Sequence, residues 1–252
     1  GGDVSCYADL VPHLDRKWPV LAFRPRGIDD LSPPHSQMAE MVADYATALR
    51  AWQPRGPYNL MAWSAGGIAA FALAEHLIEQ GEEIGLLALF DTGLPSVFAH
   101  FDVDDSSRFL IDLVNFTNRF AGTRIELSFD DLSGATPEAR FADAVRQSRE
   151  QGIFPPGVGD DYIHRLVAVG AGMVKSIQSY TPRALATTMH LFLPETHGGL
   201  EELTGVAIPP GNGWQSGIGQ KTIEISVPGD HFSMMTGSGA QQMAEAINRA
   251  LA

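Results

Sequence analysis

The sequence predicts an α/β protein: a mainly parallel sheet with helices on both faces and a helical block inserted between its strands. Three observations predict it. Between Trp18 and Phe90, short apolar runs alternate with helical periodicities in the order strand, helix, strand, helix, strand, a rhythm that demands right-handed crossovers and a sheet covered on both sides. From about Val97 to Tyr180 the periodicities are helical, with no convincing strand. Sheet rhythm then returns before the C-terminus.

Each element has its own signature. Trp18 to Arg24 is an apolar run bounded by charges and followed by Pro25, which reads as a buried strand. Met38, Met41, Val42, Tyr45, Ala48 and Leu49 recur at three- and four-residue steps, predicting a helix from Gln37 to near Pro54. Pro57 to Trp63 is the next strand. Ile68 to Glu79 is small and apolar enough for a buried helix, and Gly81 stands where a helix end wants a left-handed residue. Ile84 to Phe90 is the third strand. In the helical block, Phe109, Leu110, Leu113, Val114 and Phe116 mark one helix. Thr136-Pro137 gives an N-cap and first-turn pair for a second, and Asp160 to Ser179 forms a third. Thr188 to Leu193 and Thr222 to Val227 are strands, and Ala240 to Leu251 is a C-terminal helix. A block inserted between strands of one sheet is expected to cap the sheet's C-terminal edge, where open α/β sheets keep their sites.

Composition narrows the function. The 252 residues suffice for one large domain. With 17 Lys and Arg against 30 Asp and Glu the net charge is −13, a field that repels phosphate backbones and argues against nucleic acid as a partner. The most apolar stretch, Met61 to Ala74, is shorter than a bilayer requires, so no membrane span is expected. The one cysteine, Cys6, cannot close an internal disulfide; it reads as a packing residue and fits a reducing, cytoplasmic setting. The start on Gly1, with no basic or apolar leader, reads as a domain excised from a longer polypeptide and monomeric as such.

Ala62-Trp63-Ser64-Ala65-Gly66 lies at a predicted strand-to-helix junction, the context of a nucleophile elbow. That turn is tight, so the positions two before and two after the serine must be small; Gly66 fits, and Ala62 replaces the usual glycine with the next smallest residue. The amide of Ala65 is expected to point at a developing oxyanion. Taken alone, the motif leaves open that Ser64 is merely a helix N-cap.

Partners decide between the two. On the fold that carries this elbow the order along the chain is serine, acid, histidine, each following a strand. Asp91 follows the strand directly after the nucleophile's helix; its bland alternative is a turn cap before Gly93. Glu195, past the Thr188 to Leu193 strand, is the alternative acid, since many hydrolases place theirs one strand later. His231 follows the last strand in Val227-Pro-Gly-Asp-His-Phe-Ser233, where Gly229 can turn the imidazole back across the sheet edge. Chain order excludes His13, His35, His76 and His100, while His164, His190 and His197 lie in a helix, a strand and a loop. Asp230 is disfavoured as the orienting acid because adjacent side chains point apart. The triad read from the sequence is therefore Ser64, Asp91 and His231. No Cys/His cluster suggests a metal, and Gly211-Asn-Gly213 precedes no dinucleotide-binding helix.

Gly1-Gly2, Cys6-Tyr7-Ala8-Asp9-Leu10, Phe23-Arg24-Pro25-Arg26-Gly27-Ile28, Trp63-Ser64-Ala65-Gly66-Gly67, Tyr180-Thr-Pro182 and Val227-Pro-Gly-Asp-His-Phe232 together resemble the type I thioesterase domains of nonribosomal peptide synthetases and hybrid polyketide synthases. The resemblance spans almost the whole chain and is most specific at the elbow and the histidine segment. It implies an α/β-hydrolase fold with core segments 1–96 and 182–252 and a helical lid over 97–181. It also implies no cofactor of its own, a substrate delivered on the 4'-phosphopantetheine arm of an upstream peptidyl or acyl carrier domain, and a peptide or polyketide chain as cargo. In that family the acid commonly follows the strand after the nucleophile's helix, which favours Asp91 over Glu195. The family's first strand and its His-Pro lead-in to the Gly-Gly pair are not in this sequence. The second oxyanion amide is therefore expected at Gly1 or just before it, and loss of that segment is expected to impair activity.

The implied chemistry is acyl transfer to Ser64 followed by release as an acid, lactone or lactam. Phe98, Phe101, Phe109, Phe116 and Phe120 make the first part of the lid aromatic, suited either to gripping an apolar chain or simply to packing. The alternatives are a free-standing carboxylesterase or lipase, an editing thioesterase, and a non-catalytic hydrolase-fold binding protein. The editing enzymes usually carry His before the serine, where Trp63 stands here, and non-catalytic members usually lose a triad residue.

Overall fold

The computed structural model describes residues 4–29, 31–99, 101–120, 127–154, 157–196, 201 and 206–252, and not the side chains at 116, 117, 119 and 120. Gly1, His100, His197 and the rings of Phe116 and Phe120 thus lie outside the described residues. The chain divides into two compact units.

The larger unit holds the sheet. Its strands β1 (Tyr58–Trp63), β2 (Ile84–Phe90), β3 (Met189–Pro194) and β4 (Thr222–Val227) lie side by side in chain order, all parallel. In β2, Leu87, Ala88, Leu89 and Phe90 are fully buried, which is why that strand reads as a continuous apolar run rather than an alternation. The edge strand β4 leaves Ile223 and Glu224 exposed. Helix α1 (Met38–Trp52) packs on α2 (Ala65–Glu79), which lies against β1 and β2. Being apolar almost all round, α2 is buried, as such helices must be. Gly81, at φ +81°, ends it in the left-handed region.

The smaller unit comprises residues 24–36 and 100–175. Helices α3 (Ser106–Phe120) and α4 (Pro137–Glu150) pack together, followed by α5 (Asp160–Gln178). The Thr136 hydroxyl accepts the Ala139 amide at 3.2 Å, capping α4, with Pro137 in the first turn. The 24–36 segment belongs here because small residues let it lie directly on α5: a Cβ on Gly172 would overlap the His35 carbonyl, and Gly27 approaches Val169. Phe109 is buried and crowds Gly170, and Phe98 in the larger unit is buried too. Both rings are consumed by packing. Two further helices, α6 (Trp214–Ile218) and α7 (Gly237–Ala250), complete the larger unit, and α7 packs on β4. Among the described residues, no helix is long and apolar enough to cross a membrane.

One expected element is absent. Trp18 to Arg24 forms no strand, and Leu21 is 52% exposed and Trp18 38% exposed. A strand exists by pairing, and among the described residues β1 has no strand on its outer side. On that side the Trp63 amide donates instead to the Tyr7 hydroxyl at 3.1 Å. Within the run, Phe23 stacks on Tyr45 of α1 at 4.9 Å. Leu21→Ala is expected to change unfolding free energy by less than about 0.5 kcal/mol. Leu89→Ala should cost about 2–5 kcal/mol; urea denaturation of both variants checks the contrast.

Candidate active site

The site forms where three parallel strands end. Ser64 follows β1 with φ +56° and ψ −134°, outside the helical region although α2 begins at the next residue. Its side chain makes no cap hydrogen bond, which removes the reading of Ser64 as an N-cap. The turn is fixed from both sides. The Ser64 amide donates to the Phe90 carbonyl at 2.9 Å, and the Ser64 carbonyl accepts from the Gly67 amide at 2.9 Å and from the Thr92 hydroxyl at 3.1 Å.

Steric pressure falls one residue later than the sequence suggests. A Cβ on Gly66 would stand 3.8 Å from the Ala62 methyl, an ordinary contact, so Ala62 is accommodated and Gly66 has room. Gly67 has none: a Cβ there would overlap the Thr92 side chain. Helix and acid turn approach so closely only because this position lacks a side chain.

Asp91 follows β2 directly, at φ +40°, with its amide donating to the Phe192 carbonyl at 2.8 Å. His231 follows β4, beyond Gly229 at φ +101°. The imidazole Nδ1 lies 2.7 Å from Asp91 Oδ2 and Nε2 lies 3.1 Å from Ser64 Oγ. All three residues are buried, His231 completely. With the carboxylate accepting from Nδ1–H, Nε2 is left as an acceptor facing the hydroxyl, the tautomer a general base needs. This geometry can deprotonate a serine and hold the resulting imidazolium against a carboxylate.

The other candidates fall elsewhere. Glu195 is exposed, and its backbone amide pairs with the Val227 carbonyl, continuing the β3 and β4 ladder. Asp230 is committed to its own turn. Burial would raise its carboxyl, but the Ser233 amide and hydroxyl, the Phe232 amide and the neighbouring His231 hold it below the usual carboxylate range. Ala65 opens α2, where the first amides of a helix have no intrahelical acceptor and remain available to an anion. Gly1 lies outside the described residues.

Three neighbours were not legible in the sequence. The Trp63 indole donates to the His231 carbonyl at 3.0 Å and its ring lies 5.0 Å from the imidazole, so the residue before the serine also seats the histidine. Thr92 ties the acid turn to the elbow. Asn212, in the Gly211-Asn-Gly213 segment, donates through Nδ2 to Asp91 Oδ1 at 2.8 Å. A lone non-glycine between two loop glycines was the available signal.

Comparison with known proteins extends beyond the site. The family model of the thioesterase domain matches residues 1–251. An atromentin synthetase of Serpula lacrymans, nps3, is 37% identical over 239 residues, covering 93% of this chain and 24% of the synthetase. A non-reducing polyketide synthase of Nectria, ntnG, is 28% identical over 254 residues, 99% of this chain and 12% of the synthase. Among solved structures, a four-domain nonribosomal peptide synthetase bound to AMP and glycine superposes with a TM-score of 0.80 at 21% identity, covering 99% of this chain and 18% of that one. The chain spans about a quarter or less of these larger proteins. Its parallel sheet with helices on both faces is the α/β-hydrolase type, and with the thioesterase model matched over essentially its full length, the chain belongs to the thioesterase-domain family, whose members are hydrolases acting on thioesters.

Proposed function

We propose that this domain ends a biosynthetic assembly line, taking a peptidyl or acyl chain from the phosphopantetheine thiol of an upstream carrier domain onto Ser64 and then releasing it. The observation that carries the reading is the continuous relay from Asp91 Oδ2 through His231 to Ser64 Oγ, at 2.7 and 3.1 Å, in a chain of the thioesterase family. The synthetase and synthase relatives supply the context of a carrier-bound substrate.

In the first step His231 takes the hydroxyl proton as Ser64 Oγ attacks the thioester carbonyl. The Ala65 amide meets the oxyanion, and the carbon–sulfur bond breaks as His231 returns the proton to the departing thiolate. A Ser64 ester remains. In the second step His231 deprotonates water, or a hydroxyl or amine of the bound chain. Attack on the ester then frees Ser64 and gives an acid, a lactone or a lactam. Asp91 holds the imidazole in one tautomer and stabilises its charged form in both steps. We assign the choice of second nucleophile to the helical insertion of residues 97–181, the longest segment between consecutive strands of the sheet.

Ser64→Ala and His231→Ala should each lower release from a pantetheine thioester by on the order of 10³-fold or more, with Ser64→Ala also abolishing fluorophosphonate labelling. Asp91→Asn should fall by a comparable factor while Glu195→Gln keeps most activity. The reverse pattern makes Glu195 the acid, and equal turnover of simple esters favours a carboxylesterase. Mass spectrometry of the product from a native-chain thioester separates hydrolysis from cyclisation, the acid being heavier by one water.

A further inference from the structure

The catalytic carboxylate is held at both oxygens, and only one of its partners is accounted for by the proposed relay. His231 occupies Oδ2 of Asp91, while Asn212 Nδ2 donates to Oδ1 at 2.8 Å, and both residues are buried. Resting on the reading of Ser64, Asp91 and His231 given above, we propose that Asn212 is a positioning residue that fixes the plane of the Asp91 carboxylate and moderates its pull on His231.

The backbone around Asn212 is shaped to deliver that amide. Gly211, Asn212 and Gly213 lie consecutively in the left-handed region, at φ +59°, +51° and +81°. Two of the three positions are glycine, the residue this backbone favours; the third keeps a side chain of the kind that tolerates it, and that side chain reaches the acid. The segment is also bolted to the turn that carries Asp91. The Leu94 amide donates to the Asn212 carbonyl at 3.4 Å, and the fully buried Trp214 donates its indole N–H to the Thr92 carbonyl at 2.6 Å, its ring 4.6 Å from Phe71. An amide suits the task because it donates without bringing a positive charge that would compete with the imidazolium for the carboxylate.

The titratable groups around the pair are few. His231 faces Asp91, Asp230 lies beside His231 but is engaged by Ser233, and Glu224 of β4 approaches Gly211. Removing the Asn212 donor leaves Asp91 charged but less satisfied, so it draws the His231 proton harder and the imidazolium persists to higher pH.

The test is the rate of Ser64 labelling by a fluorophosphonate as a function of pH, with circular dichroism to confirm folding. Asn212→Gly keeps the left-handed backbone and removes the donor. It should label roughly tenfold more slowly on the plateau, with the acid limb about half a pH unit higher. Asn212→Asp keeps shape and backbone and, because two buried carboxyls in contact share one proton, offers Asp91 a donor again; its limb should lie nearer the wild-type position than that of Asn212→Gly. A wild-type acid limb in Asn212→Gly, whether or not the rate falls, marks a purely structural residue and overturns the inference. If Ser64→Ala still labels, the triad reading falls and takes this inference with it; if Ser64→Ala is blank and the Asn212→Gly limb is unmoved, the inference alone falls.

Discussion

The backbone of Ser64 is the constraint on which the site depends. A residue with a side chain at φ +56° and ψ −134° sits in a sparsely populated region that costs on the order of 1–3 kcal/mol, and it persists only where its surroundings over-determine it. Three hydrogen bonds do so here, from the Ser64 amide to β2 and to the Ser64 carbonyl from Gly67 and Thr92. The strain has a geometric return. It stops β1 abruptly and starts α2 at once, at Ala65.

From that point the parallel sheet does the rest. Because every strand runs the same way, the residues that follow β1, β2 and β4 emerge on one edge, and modest turns bring residues distant in sequence into hydrogen-bond range. Burial completes the arrangement. With His231 fully buried and Asp91 nearly so, the pair is shielded from water, and its attraction is stronger than in an exposed pair. The same burial makes each missing partner expensive, which is why polar neighbours such as Thr92, Asn212 and the Trp214 indole gather around the acid turn.

Much of this was legible in the sequence because it is written locally. The strands Ile84–Phe90 and Thr222–Val227 and the cap at Thr136 follow from periodicity and side-chain chemistry over a few residues. The sequence predicts α2 only from Ile68, because Gly66 and Gly67 lower helix propensity, whereas the elbow forces the helix to begin at Ala65. Ser64, Asp91 and His231 could be picked out because each follows a recognisable strand. What stayed hidden was pairwise. Trp18 to Arg24 has the composition of a strand but pairs with none of the described strands, and no single segment encodes that. Asn212 contacts an acid far away along the chain, and only the folded loop shows that the two meet.

The Tyr7 hydroxyl at the outer side of β1 bears on how this sheet meets other chains. Alternate amides of β1 face away from β2, and where a strand edge lies open such a row is a template for edge-to-edge association. Tyr7 occupies the last amide of the row, at Trp63, and burial keeps its phenol protonated far beyond neutral pH. A strand added to this edge would have to displace the half-buried Tyr7 side chain to reach Trp63, the residue before Ser64. The phenol thus guards the end of the edge beside Ser64 against strand addition.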